Sequence, residues 1–238
     1  PQAFLRYVMF SYLEALSRVS DDFIFKGGNL LWVYIETPRA TIDLDLATGR
    51  LEKHSDIRRL LENAAAHAEG IHFSVTRFKE IENQGYAGSA VVISYETDQG
   101  AKNTFDLDII YRLPTDTVEI ESPVSSNLKI RAATIENIIA DKLVTSHRFK
   151  AGNSRIKDYD DLWRLAKSES NIDASKLASL LSATSTQATL SLQWINPEME
   201  KAWQTHASRY KDLPKKVETV FTEVNDWLKA LFDAPESK

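Results

Sequence analysis

The chain has 238 residues, 43% of them hydrophobic and 26% charged, which is enough to bury the core of a globular protein. Its formal net charge of -5 at pH 7 excludes an overall attraction to nucleic acid or to an anionic membrane, and leaves only a local basic patch for such a partner. Cysteine is absent, which excludes disulfides and thiolate metal sites, and no apolar run is long enough to span a bilayer. We therefore expect a cytoplasmic protein without a membrane partner.

The first half of the chain is predicted to combine helices with neighbouring strands. The N-terminal segment has the pattern of an amphipathic helix rather than of a signal peptide, because charged residues interrupt its apolar positions. Further along, the hydrophobic period changes to two, which is typical of strands. The predicted elements are a helix at 2–20, a strand at 23–25, a helix at 29–36, a strand at 40–47, a helix at 56–69, strands at 71–81, 90–97 and 102–111, and short strands at 117–121 and 127–133.

The second half carries only helical signals. Gly152 is expected near the end of the first helix, and Asn196 followed by Pro197 is a cap and first-turn pair for a later one. The predicted helices span 134–149, 154–167, 174–184, 197–210 and 214–232. The sequence thus predicts an α+β protein, with a mixed-sheet domain with flanking helices over 1–130 and an all-helical domain over 131–238.

Two predicted strands alternate aspartate with apolar residues. Asp43 and Asp45 would share one face, and the apolar residues that begin at Ile42 would pack behind them. Asp106 and Asp108 repeat the pattern in a later strand. The aspartates either form a solvated strand face or, if the strands are neighbours, bring a third carboxylate to a site that suits Mg²⁺.

Two glycines, Gly27 and Gly28, stand where a strand turns into a helix. Such a turn lets the backbone approach a ligand closely and presents helix N-terminal amides to an anion such as phosphate. The spacing is not that of a P-loop.

Charged residues also interrupt the apolar stripes of two predicted helices. Lys142 lies within the stripe of the 134–149 helix, and Asp158 lies within the stripe of the next, with Arg155 one turn before it. Charges in such positions are either paired with each other across the two helices or face a cleft.

Four short motifs carry a family resemblance. "KGGNLL", "RATIDLDLA", "IADKL" and "NSRIKDYDDL" follow one another between about residues 23 and 167. In order and spacing they resemble the AbiEii/MenT group of nucleotidyltransferase-like toxins, within the DNA polymerase β-type nucleotidyltransferase superfamily. Asn29 departs from the group's pattern, which usually has Thr or Ser there.

The resemblance implies a nucleotidyltransferase-fold sheet, followed by a helical domain that closes the active-site cleft. It implies Mg²⁺ bound by Asp43, Asp45 and Asp108, with Asp106 the second choice for the third acid. Asp158 would position Lys142 or assist deprotonation of the acceptor, and these two residues join Asp43 and Asp45 in the catalytic set. The residues implied in nucleotide binding are Lys26, Gly27, Gly28, Asn29, Arg39, Lys142 and Arg155.

The same resemblance implies transfer of NMP from an NTP to RNA, with tRNA 3′ ends as the known target of some members, and a cognate antitoxin as partner. One local feature agrees: Arg148, Lys150, Arg155 and Lys157 surround a predicted turn, which either binds RNA phosphates or is simply solvated. Two other functions stay open. One keeps the enzyme and changes the acceptor to a protein or small-molecule hydroxyl, and the other is a non-catalytic binding protein with this fold.

Overall fold

The strands of the first half form one mixed sheet in the computed structural model, which describes residues 2–49, 54–68, 70–83, 86–152 and 155–233. Within those residues the sheet has seven strands: β1 (Ile24–Lys26), β2 (Asp43–Ala47), β3 (Ile71–Asn83), β4 (Tyr86–Thr97), β5 (Lys102–Ile110), β6 (Thr117–Glu121) and β7 (Lys129–Ala133). Their order across the sheet is β3-β4-β5-β2-β1-β7-β6. The central strands β2 and β5 run parallel, and β1 runs antiparallel to β2.

The described residues also form eight α-helices and two short 3-10 helices, at Lys150–Gly152 and Leu192–Trp194. In chain order they are α1 (Gln2–Val19), α2 (Gly27–Ile35), α3 (His54–Ala66), α4 (Ile135–Phe149), α5 (Ile156–Lys167), α6 (Ala174–Ala183), α7 (Pro197–Ala207) and α8 (Val217–Asp233). Every regular element described after β7 is therefore helical.

One face of the sheet is packed beneath α1. The ring of Tyr12 on α1 meets Phe73 of β3 and Phe105 of β5 edge-on, and its hydroxyl donates to the Leu61 carbonyl of α3 at 2.9 Å. Residues on this face of β2 and β5 are fully buried, as the alternating pattern requires. The opposite face of the same strands is left to the aspartates.

The helical part has its own core. Tyr159 of α5 packs against Phe221 of α8 with ring centroids 4.7 Å apart, and Trp203 of α7 is fully buried. The predicted start of α7 is confirmed, since Asn196 accepts a hydrogen bond from the Met199 amide and Pro197 occupies the first turn.

A buried ion network stabilises these helices. Asp160 is fully buried and lies 2.6 Å from the Arg164 guanidinium and 2.7 Å from the ring of His206. Arg164 also donates to Asp212 at 2.6 Å. Such charges are tolerated in a core because each one has an opposite partner.

Several predicted boundaries are wrong near the acidic strand. α2 begins at Gly27, directly after β1, and not at residue 29. β2 begins at Asp43 and not at residue 40, and Ile42 is 62% exposed, so it does not pack behind the aspartates as predicted. Thr41 and Ile42 precede the strand and take no part in its alternation.

α4 ends at Phe149, as predicted, but the turn after it differs. The left-handed residue after the helix is Lys150, with φ of 48°, and not Gly152. α5 begins at Ile156 with Arg155 as its cap residue. A lysine thus adopts a conformation that usually selects glycine.

The chain divides into two compact units. One contains residues up to Val33 and Arg39–Thr134, and the other contains Tyr34–Pro38 and the chain from Ile135 on. The predicted boundary between residues 130 and 131 falls inside β7. That the helical part closes an active-site cleft stays a prediction. No helix in the described part of the chain has both the length and the hydropathy to cross a membrane.

Candidate active site

Four aspartates share one face of the two central strands, and we call this set the acid face: Asp43, Asp45, Asp106 and Asp108. The parallel register pairs Asp43 with Asp106 and Asp45 with Asp108. Paired residues of neighbouring strands point to the same side, so all four carboxylates lie on the face opposite the buried leucines. The prediction that two strands carry acids to one face is therefore realised by direct pairing of β2 with β5.

Electrostatic repulsion acts within this face. Burial, followed by the charges of Asp43 and Asp106, raises the pKa of Asp108 above its usual range. Asp108 is half-buried, whereas Asp106 is exposed. A carboxylate whose pKa is raised by burial and by neighbouring carboxylates lies where a cation would be stabilised.

Gly27 is fitted against the acid face. Its φ is 76°, and a Cβ placed on it would overlap the Asp45 carboxylate. Lys26, the last residue of β1, pairs with Asp45 across the antiparallel ladder. Only glycine satisfies both the left-handed conformation and the close approach, so the backbone at the start of α2 lies directly beside Asp45.

Gly28 is fitted in the same way against a different pair. A Cβ on Gly28 would lie 2.5 Å from an Arg39 guanidinium nitrogen and 2.7 Å from the Thr41 hydroxyl. Arg39 is only 6% exposed. The first turn of α2 therefore brings together free helix amides, a buried guanidinium and a carboxylate strand, which is a suitable arrangement for phosphate groups.

Asn29, the third residue of α2, contacts the acidic strand. Its side chain is fully buried, and its Nδ2 donates to the Asp43 carbonyl oxygen at 2.6 Å. Its Oδ1 is buried with no hydrogen-bond partner among the described residues. Asn29 therefore joins α2 to the acidic strand, and its part in nucleotide binding stays a prediction.

The acid face suits a hard cation without being a preformed cage. In the described ranges, no three acidic or histidine side chains are grouped closely enough to hold a metal by themselves. Mg²⁺ generally takes one or two protein carboxylates and completes its shell with water and substrate phosphate oxygens. The donor chemistry of the face and the raised pKa of Asp108 fit that mode.

A second cluster lies between α4 and α5, and we call it the Lys142 cluster: Lys142, Arg155, Asp158 and Asp161. The Lys142 ammonium donates to Asp158 at 3.0 Å and to Asp161 at 2.6 Å. Arg155 Nε lies 2.9 Å from the other oxygen of Asp158. Two cations and two carboxylates thus balance one another, and the predicted Lys142–Asp158 pair is present.

Asp161 is the residue of this cluster that the sequence-based set omits. It follows Asp158 by three residues on α5 and so shares its face. Its side chain is 1% exposed, against 10% for Lys142 and 50% for Arg155. The three-residue spacing of the two acids in "KDYDDL" is the signal that could have found it.

Comparison with known proteins identifies the family of this chain. A family model described as "Nucleotidyl transferase AbiEii toxin, Type IV TA system" matches residues 11–230. The chain belongs to this family. The AbiEii match confirms the resemblance, because all four motifs lie within the matched residues. No match was found among curated proteins.

Two solved structures share the fold with this AbiEii protein. One is a candidate nucleotidyltransferase from H. pylori, with 18% identity and a TM-score of 0.59, covering 98% of this chain and 95% of that one. The other is JHP933 from Helicobacter pylori, with 17% identity and a TM-score of 0.60, covering 98% and 92%. At these identities the likeness concerns the fold, and it supports the predicted nucleotidyltransferase-like mixed α/β architecture.

Proposed function

We propose that this AbiEii protein transfers NMP from an NTP to an RNA hydroxyl, at a tRNA 3′ end, with Mg²⁺ as cofactor and pyrophosphate as leaving group. An antitoxin would restrain it. The observation that carries the proposal is the acid face, whose half-buried Asp108 is repelled by Asp43 and Asp106. Repulsion of this kind is costly in a purely structural role and useful where a cation and a phosphate chain bind.

Each step of the proposed reaction has candidate residues. Asp43 and Asp45, with Asp108 as the third acid, would hold Mg²⁺, which supplies charge neutralisation at the attacked phosphorus when bound. The amides at Gly27 and Gly28 and the Arg39 guanidinium would bind the phosphate chain.

The transfer itself forms one P–O bond and breaks another. The acceptor oxygen bonds to the α-phosphorus as the bond to the β-phosphate oxygen breaks, and the hydroxyl proton leaves. Lys142, with Arg155, would neutralise charge on the triphosphate. Two roles stay open for Asp158: it holds Lys142, as its 3.0 Å hydrogen bond permits, or it accepts the proton.

The test is transfer of label from each α-³²P NTP, with Mg²⁺, to the RNA or protein fraction of a lysate. We expect label in RNA with the wild type and none with Asp45→Asn. Asp226→Asn, which removes an exposed carboxylate from α8, is the matched control and keeps activity. Label in protein alone contradicts the RNA acceptor, and no label in any fraction favours the non-catalytic alternative.

A further inference from the structure

The turn between α4 and α5 presents cations and an aromatic ring on one short segment. We call it the basic turn: Arg148, Phe149, Lys150, Arg155 and Lys157. All five are exposed, and Phe149 keeps 40% of its surface accessible. The Phe149 ring is therefore accessible to a ligand.

Residues between 189 and 196 contact the chain on either side of Lys150. His147 Nε2 lies 2.7 Å from the Thr189 carbonyl oxygen, and the His147 ring meets Trp194 edge-on at 4.9 Å. Asn196 donates to the Ala151 carbonyl at 3.1 Å. These contacts hold the backbone at His147 and at Ala151, on either side of Lys150, so the Lys150 side chain projects from a supported backbone.

The charges of the turn are only partly neutralised. Arg155 is paired with Asp158, whereas Lys150 and Lys157 have no ion-pair partner within the ranges the structure describes. The Arg148 guanidinium lies 5.6 Å from the centroid of the Phe149 ring. Cations beside an exposed ring are the combination that binds a single strand, since phosphates meet the cations and an unpaired base stacks on the ring.

We propose that the basic turn binds a single-stranded stretch of the RNA acceptor. Phosphates contact Lys150 and Lys157, and an unstacked base lies on Phe149. Arg155 belongs to both the basic turn and the Lys142 cluster, so a strand bound here is led to Lys142 and Asp158. The inference rests on the proposed function for the identity of the ligand, and it adds the surface that selects an unpaired end over a duplex. An acidic protein would use the lysines but has no need of the ring.

The experiment measures binding of a fluorescent single-stranded RNA of about 12 nucleotides by anisotropy, over a range of salt concentrations and with EDTA and no NTP. One variant combines Lys150→Asn with Lys157→Gln, because asparagine tolerates the left-handed φ of 48° that Lys150 adopts. The other is Phe149→Leu, which keeps an apolar helix former at the end of α4. The control combines Lys215→Gln with Lys216→Gln, two exposed lysines before α8.

We expect the lysine variant to bind about tenfold more weakly and to lower the slope of log K against log salt by about 1.4, or about 0.7 per lost phosphate contact. Phe149→Leu should weaken binding about fivefold or more with the slope unchanged, because stacking carries no counterion release. A duplex of the same sequence should be insensitive to Phe149→Leu, and the control should bind as the wild type does.

Two outcomes overturn the proposal. One is binding by both variants that matches the wild type. The other is a lysine variant with weakened binding of both polyglutamate and RNA, while Phe149→Leu binds both as the wild type does. That result would indicate a surface for acidic proteins. Because the assay omits NTP and metal, a failure of nucleotidyl transfer is recorded separately, by the labelling experiment.

Discussion

At the residue scale, the placement of the Asp45 carboxylate depends on its contact with a glycine. Gly27 at φ of 76° lies so close to Asp45 that no side chain fits between them, and Gly28 has the same relation to Arg39. The close approach places backbone amides beside the acid face without a loop of P-loop length. The position of Asp45 therefore depends on a neighbour that has no side chain.

Gly27→Ala tests this dependence, and Gly70→Ala is its matched control. Both glycines have positive φ, 76° and 72°, so each substitution costs about 1–2 kcal/mol of stability from the backbone alone. A Cβ on Gly70 meets nothing within 4 Å, whereas one on Gly27 displaces Asp45. We expect similar losses in thermal stability but loss of transfer activity only for Gly27→Ala. Equal activities would contradict the role assigned to the close approach.

Kinetics can distinguish whether Asp108 or Asp106 is the third acid. Asp108→Asn should lower kcat about 100-fold or more, as expected when an electrostatic contribution to the transition state is removed. Asp106→Asn removes an exposed carboxylate from the same strand and should have a small effect. The measurement is single-turnover transfer at saturating NTP, and a reversed order of the two would assign the third acid to Asp106.

The raised pKa of Asp108 also predicts a pH dependence of stability. A carboxyl with a higher pKa in the folded state disfavours folding once it ionises, so its effect is absent below the unfolded value of about 3.9 and develops as pH rises through the folded value. In EDTA, Asp108→Asn should therefore melt at a higher temperature than the wild type at pH 7, with the difference vanishing towards acid pH. Melting curves at several pH values test this, and a less stable variant at pH 7 would contradict it.

At the scale of elements, the helices α4 and α5 are joined by charge as well as by apolar packing. Lys142 donates to two buried carboxylates, one turn apart on α5. A charge within an apolar stripe would be strongly destabilising if it were unpaired. The ion pairs of Lys142 with Asp158 and Asp161 thus orient the two helices, whatever further role Lys142 has.

Asp161→Asn measures that contribution. The substitution leaves the buried ammonium with one carboxylate, and we expect a loss of about 1–3 kcal/mol in unfolding free energy. The exposed Asp226→Asn on α8 should change it by less than about 0.5 kcal/mol. Denaturant titration of the two variants checks the difference, and equal values would mean that Asp158 alone holds Lys142.

The strand and helix patterns predicted which elements exist but not where the functional ones begin. The alternation of Asp with apolar residues correctly placed the acids of β2 and β5 on one face, because side-chain direction follows directly from the strand period. The same alternation wrongly included Ile42, since an exposed isoleucine before a strand has the same pattern as a buried one in it. The left-handed Lys150 was also missed, because Gly152 nearby is the usual signal.

At the scale of the whole molecule, the charge distribution matters more than the total. A chain of net charge -5 has no general affinity for polyanions, so the proposed contact with RNA would be local. The basic turn supplies the local charge, and membership of the AbiEii family supplies the context of a toxin–antitoxin system.

Induced expression tests this context. We expect the wild type to arrest growth and to add nucleotides to tRNA 3′ ends, because the proposed reaction would remove the free acceptor end. Asp45→Asn at equal protein level should do neither. Sequencing of tRNA 3′ ends beside growth curves provides the measurement. Arrest by both proteins would indicate a toxicity independent of the acid face.

The 2.6 Å hydrogen bond from the buried Asn29 side chain to the Asp43 carbonyl has a mechanical consequence. It links the first turn of α2 to the first residue of β2, so we expect the two to move together. A displacement of the amides at Gly27 and Gly28 would therefore shift the backbone of Asp43. In the proposed reaction, binding of the phosphate chain and placement of the carboxylates would therefore be coupled, and a change at Asn29 would alter both together.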